Sequence, residues 1–129
     1  MLVGEFAQKL GVELLIPELG DCPIAAEGCY IGDLLSNVIS RAGQGQLWMT
    51  VMTNTNIVAV AHLAGLSGVL LVDGAAPMPG VLDKAREEGI PVFSTAQPAY
   101  PMALCFWQMT EGLAAEGGGR NRVEISSRY

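Results

Sequence analysis

From Leu47 onward, short apolar runs alternate with longer helical patterns three times over, and few architectures accommodate that alternation. Residues 47–52 read as a strand containing Trp48 and Val51. Thr53, Asn54 and Thr55 then open a helix carrying Ile57, Val58, Val60, Ala61 and Leu63, and Gly65 closes it. Residues 69–72 are an unbroken Val-Leu-Leu-Val run, the pattern of a strand buried on both faces. Asp73 and Gly74 end that strand, Pro79 marks the first turn of a helix reaching Glu88, and Gly89 stops it. Residues 91–94 form a third strand and 99–112 a last helix. Strands alternating with helices of about 10 residues imply βαβ units, and these build a parallel sheet through right-handed crossovers.

The N-terminal third is less regular. Residues 3–10 predict a short helix, with Phe6 and Leu10 at i, i+4 and Gly11 as its stop. Residues 12–16 are a short strand ended by Pro17, residues 24–27 a second one, and 28–32 a loop. Asp33 has the place of an N-cap, with Leu34, Leu35, Val38 and Ile39 at helical spacing behind it up to Ala42. The expectation is one three-layer α/β/α domain with a mainly parallel sheet over residues 1–111. A flexible Gly/Arg/Ser tail over 112–129 follows it. With 129 residues the chain has the length of one domain, which buries roughly two-thirds of its unfolded surface.

Composition narrows the function classes. Half the residues are hydrophobic and 16% are charged, which excludes a disordered chain. The formal net charge of −6 disfavours contact with a phosphate backbone, so no nucleic-acid partner is expected. The apolar runs are far too short for a membrane span, and no basic stretch precedes an apolar one at the N-terminus. A cytoplasmic protein is expected. The three cysteines, Cys22, Cys29 and Cys105, lack C-x-x-C spacing and fit reduced thiols.

No pattern for a P-loop, a nucleophile elbow or a zincin is present. The single histidine, His62, has no ligand partners at metal spacing. No metal and no cofactor are expected. In open α/β sheets, ligands bind outside the carboxyl ends of the strands. Those ends carry Thr53 and Asn54, then Asp73, then Ser94 and Thr95, with Asn56 in the first turn of the following helix. These make a candidate small-molecule site, although the same residue types serve as caps and turns. Asp33 is a cap or a functional carboxylate. On the last helix, Tyr100, Met102, Phe106 and Trp107 either cover the sheet or form a dimer interface.

Three segments carry a resemblance. They are Gly28-Cys29-Tyr30-Ile31-Gly32-Asp33-Leu34-Leu35-Ser36, Thr53-Asn54-Thr55-Asn56-Ile57-Val58-Ala59-Val60-Ala61, and Gly89-Ile90-Pro91-Val92-Phe93-Ser94-Thr95. In this order they resemble the DRTGG domain family, especially its small stand-alone members, over about residues 1–111. The motif that names the family falls just before Tyr30. There this chain departs from it, with Gly28 keeping its place and Asp21 as a remnant. The resemblance implies a fold similar to the N-terminal domains of HPr kinase/phosphatase and of a Mur ligase. It also implies a regulatory or dimer-forming role, without the kinase domain that would bring a P-loop.

Three functions follow as expectations. The first is a non-catalytic regulatory module, homodimeric, sensing a small molecule such as a nucleotide, with Gly28 and Asp33 beside the strand-end residues. The second is an accessory subunit docking on a larger redox or hydrogenase-associated enzyme. The third is an enzyme with a cryptic site at Asp33, Asp73 or Cys29, for which no activating base is evident.

Overall fold

The computed structural model describes residues 1–118. Its five strands are β1 (Glu13–Leu14), β2 (Cys29–Ile31), β3 (Leu47–Thr50), β4 (Gly68–Leu71) and β5 (Val92–Ser94). They form one sheet in the order β1-β5-β4-β3-β2. β2 to β5 are parallel, and β1 runs antiparallel to β5. The helices are α1 (Val3–Leu10), α2 (Leu35–Arg41), α3 (Asn56–Ala64), α4 (Val81–Glu88) and α5 (Ala99–Gly118). The expected three-layer α/β/α architecture is what the chain adopts.

Each step from β2 to β5 moves to the adjacent strand in the same direction. Crossovers of one hand stepping one way leave their helices on one face. Val38 of α2, Ile57 and Val58 of α3, and Val81 and Ala85 of α4 accordingly pack with Trp48, Val69, Leu71 and Val92 of the sheet. The opposite face meets α1 and α5. There Phe6, Leu10, Met102 and Phe106 pack with Leu47, Met49, Leu70 and Phe93. Every residue of β3 and β4 is buried, which is why their sequences are apolar without alternation. Gly68 opens β4 because a Cβ there would stand 3.1 Å from the Pro91 carbonyl oxygen and 3.2 Å from the Phe93 ring.

The structure departs from the sequence-based expectation in four places. Residues 24–27 form no strand; an isolated Leu2–Pro23 bridge precedes them, and their Ile24 and Glu27 N–H groups donate to the Met1 and Gly45 carbonyls, both at 2.9 Å. The strand is instead Cys29–Ile31, expected to be a loop, and it pairs in register with Leu47, Trp48 and Met49. The strand expected over 12–16 shrinks to Glu13–Leu14, since Leu15 and Ile16 turn towards a short 3-10 helix at Pro17–Leu19. α5 continues to Gly118, past the expected end at residue 112, and the rest of the expected tail, residues 119–129, lies outside the described residues.

Candidate functional site

All parallel strands end at one edge of the sheet, so the polar residues that follow them gather there. Asp33 follows β2, Thr53 and Asn54 follow β3, Asp73 follows β4, and Ser94 and Thr95 close β5. Because β1 is antiparallel, its first residue comes to the same edge, and Glu13 stands in register with Ser94. Gly28 does not join this group. It precedes β2, so it lies at the opposite edge, where its carbonyl accepts the Leu47 N–H at 2.9 Å.

Asp33 is not a helix cap. The residue flanking α2 is Leu34, and no side chain caps that helix. Instead, Asp33 Oδ1 accepts the Thr50 hydroxyl at 2.7 Å and the Val51 N–H at 3.0 Å, latching the loop after β2 to the end of β3. Thr50 is the one fully buried polar side chain among the described residues, and its Oγ1 in turn accepts the Met52 N–H at 3.1 Å. A buried hydroxyl that both donates and accepts has its desolvation offset by those hydrogen bonds.

Other candidates are also tied into the frame. Asn54 Oδ1 accepts the Asn56 N–H at 2.9 Å, forming a turn that opens α3. The Thr53 carbonyl accepts the Met78 N–H at 2.9 Å, joining the loops after β3 and β4. Asp73 sits in the left-handed region with φ 58°. Its N–H donates to Gln97 at 2.8 Å and the Gly74 N–H donates to Thr95 at 3.0 Å, which zips together the loops after β4 and β5. Thr95 Oγ1 accepts the Gln97 N–H at 3.2 Å and lies 3.9 Å from Met102 Sδ.

Between the β1–β5 pair and the loop over residues 74–77 lies a cleft of about 440 Å³. Gly11, Glu13, Leu15, Pro77, Ser94 and Thr95 are among its lining residues. Leu14 packs with the α1/α5 cluster and Leu15 with the other, so side chains alternate here and Glu13 faces the cleft with Leu15. Sequence reasoning reached Ser94 and Thr95 but missed Glu13 and the loop wall. Nothing in the local pattern reveals that β1 adds antiparallel to β5.

The other titratable candidates have structural settings. His62 is exposed, with Nδ1 3.5 Å from a Glu88 carboxylate oxygen. Among the described residues no cluster of His, Cys, Asp and Glu is placed to hold a metal ion. Burial pushes the Cys29 thiol up to about 12, so it is protonated at neutral pH and is no nucleophile. Iodoacetamide at pH 8 should therefore alkylate the exposed Cys22 and Cys105 and spare Cys29 until the chain unfolds, read as two adducts by intact mass. The same shift makes stability pH-dependent. The thiol's contribution is full below its ordinary value of 9 and is lost as pH rises from there towards 12.

On α5, Met102 and Phe106 are each only 3% exposed and belong to the chain's own core. Phe106 meets Phe6 edge-on at 6.2 Å between ring centroids. The outward stripe is Tyr100, Leu104 and Trp107, at 75%, 47% and 38% exposure. No helix among the described residues is long and apolar enough to cross a membrane.

No family model matches this sequence, and no curated protein matches it. The fold does match a solved structure, the CBS and DRTGG domains of the regulatory region of Clostridium perfringens pyrophosphatase, complexed with its activator diadenosine tetraphosphate. The TM-score is 0.62 at 14% sequence identity, over 83% of this chain and 46% of that one. This chain therefore spans less than half of that regulatory region. At that identity the likeness shows the fold, and it bears out the DRTGG-like fold expected from the three segments.

Proposed function

We propose that this chain is a non-catalytic regulatory module, acting as a homodimer, that binds a small molecule at the carboxyl edge of its sheet. The observation that carries the proposal is the cleft at that edge, where the loops after β4 and β5 meet the start of β1. A concave site at strand ends is where an open α/β sheet takes ligands. The non-catalytic reading is supported by what two of the three candidate groups do: Asp33 holds the end of β3, and Cys29 keeps its proton. The pyrophosphatase region is regulatory and takes a nucleotide activator; that is a property of that protein, and a nucleotide is one class to test here. The dimer is supported by the apolar stripe of Tyr100, Leu104 and Trp107, which the chain leaves exposed.

A thermal-shift panel of nucleotides and common metabolites, run beside light scattering, tests the proposal. A ligand at about 100 times its dissociation constant should add about 2.7 kcal/mol, a rise of several degrees. Ser94→Ala or Glu13→Gln, both in the wall of the cleft, should change that rise and leave the unliganded melting temperature in place, because neither side chain holds the fold together. A rise untouched by both variants would remove the site from this edge. A flat panel would favour the second reading, an accessory subunit that docks on a larger enzyme through the α5 stripe.

A further inference from the structure

We propose that the cleft is built for a small organic cation with a planar fork of N–H donors, an amidinium or guanidinium group, and that Glu13 is its counter-ion. This rests on the proposed ligand-binding role and names the ligand class it takes. Four observations converge. Glu13 lines the cleft, and among the described residues no hydrogen bond or ion pair engages its carboxylate. Ser94, directly opposite in the antiparallel register, also lines the cleft, and among the described residues its hydroxyl has no partner. Side chains so paired stand about 5 Å apart at Cβ, close enough to take one ligand group between them.

The third observation is Gly11, which also lines the cleft and is the left-handed C-cap of α1, with φ 78°. The C-terminal end of that helix, its negative pole, therefore lies at the cleft and favours a cation there, with Lys9 in the same last turn. The fourth is what is missing from the wall: among the described residues none that line it is Lys or Arg. A phosphate would meet Glu13 with no compensating charge, in a protein of net charge −6. Apart from Thr95 beside Ser94, the rest of the wall, including Leu15, Ala75, Ala76 and Pro77, is small or apolar surface suited to the flat face or methylenes of such a ligand. A planar guanidinium or amidinium matches a carboxylate in two parallel hydrogen bonds, which a single ammonium does not.

The test uses the full chain with benzamidine and its near-isosteric neutral analogue benzamide, followed by calorimetry and by amide NMR shifts. Benzamidine should bind, perturbing the amides of Gly74, Ala75 and Ser94, while benzamide should bind about tenfold or more weakly. Glu13→Gln should lose about tenfold in benzamidine affinity with an unchanged melting temperature, since Glu13 is exposed and has no partner among the described residues. Equal binding of the two probes, or benzamidine affinity indifferent to Glu13→Gln, would overturn the cation site. If AMP or diadenosine tetraphosphate then moved the Ser94 amide, the ligand-binding role would stand with an anionic ligand. If no probe of either charge moved any amide at this edge, both would fall.

Discussion

Replacing Trp48 with alanine should cost about 4 kcal/mol and lower the melting temperature by on the order of 10 °C or more. The indole is fully buried on β3, in the layer between the sheet and α2 to α4. Its Nε1–H donates to the Gly32 carbonyl at 2.8 Å. Trp48 thus does two things: it fills the space beneath the helices, and it fastens the loop that follows β2. Alanine removes both and leaves a cavity that the buried strands on either side have little room to close. Trp48→Phe separates the two effects, keeping most of the apolar volume and losing the hydrogen bond, at about 1–2 kcal/mol. Urea unfolding measures both variants. An alanine variant within 1 kcal/mol of the parent would mean that this layer is not the packed core described above.

The second large effect is expected at Asp33. Asp33→Ala should lose about 2 kcal/mol, because two hydrogen bonds to a carboxylate disappear and the buried Thr50 hydroxyl loses its acceptor. Asp33→Asn should recover most of it, since the amide oxygen can accept the same two bonds. Thr50→Val removes the other partner, and in a double-mutant cycle the two sites should couple by about 1 kcal/mol or more. An Asp33→Ala variant as stable as the parent would deny the latch and return Asp33 to the functional candidates.

The contrast between these two residues explains what was legible in the sequence. Trp48 lies in the regular half, where β3 and β4 are buried on both faces and therefore apolar apart from Thr50. The helices around them end on glycines in the left-handed region, at Gly65 and Gly89. Periodicity and stop signals are local, so that half could be read. β2 was missed because three residues between Gly28 and Gly32 look like a loop until β3 supplies the pairing. Residues 24–27 misled in the opposite way, being apolar in pattern while burying Ile24 alone. Asp33 had the residue type and position of a cap, and its true partner lies 17 residues away, beyond any local rule. The candidate site was half visible for the same reason. Ser94 and Thr95 close a strand that the pattern reveals, whereas Glu13 arrives only when the antiparallel edge strand joins.

The backbone bonds between the loops after β4 and β5 have a mechanical consequence. Asp73 and Gly74 grip Gln97 and Thr95, and α5 begins two residues after Gln97. The wall of the cleft and the root of α5 are therefore one rigid joint. α5 is 20 residues long, so at 1.5 Å per residue it is a lever of about 30 Å, several times the width of that joint. A tilt of about 5° at the root would carry its far end by about 2.5 Å, and the outward stripe, which ends at Trp107 about 12 Å along, by about 1 Å. In this geometry an adjustment around an occupant of the cleft would be felt at the root of α5 and, through Met102 and Phe106, in the core beneath it.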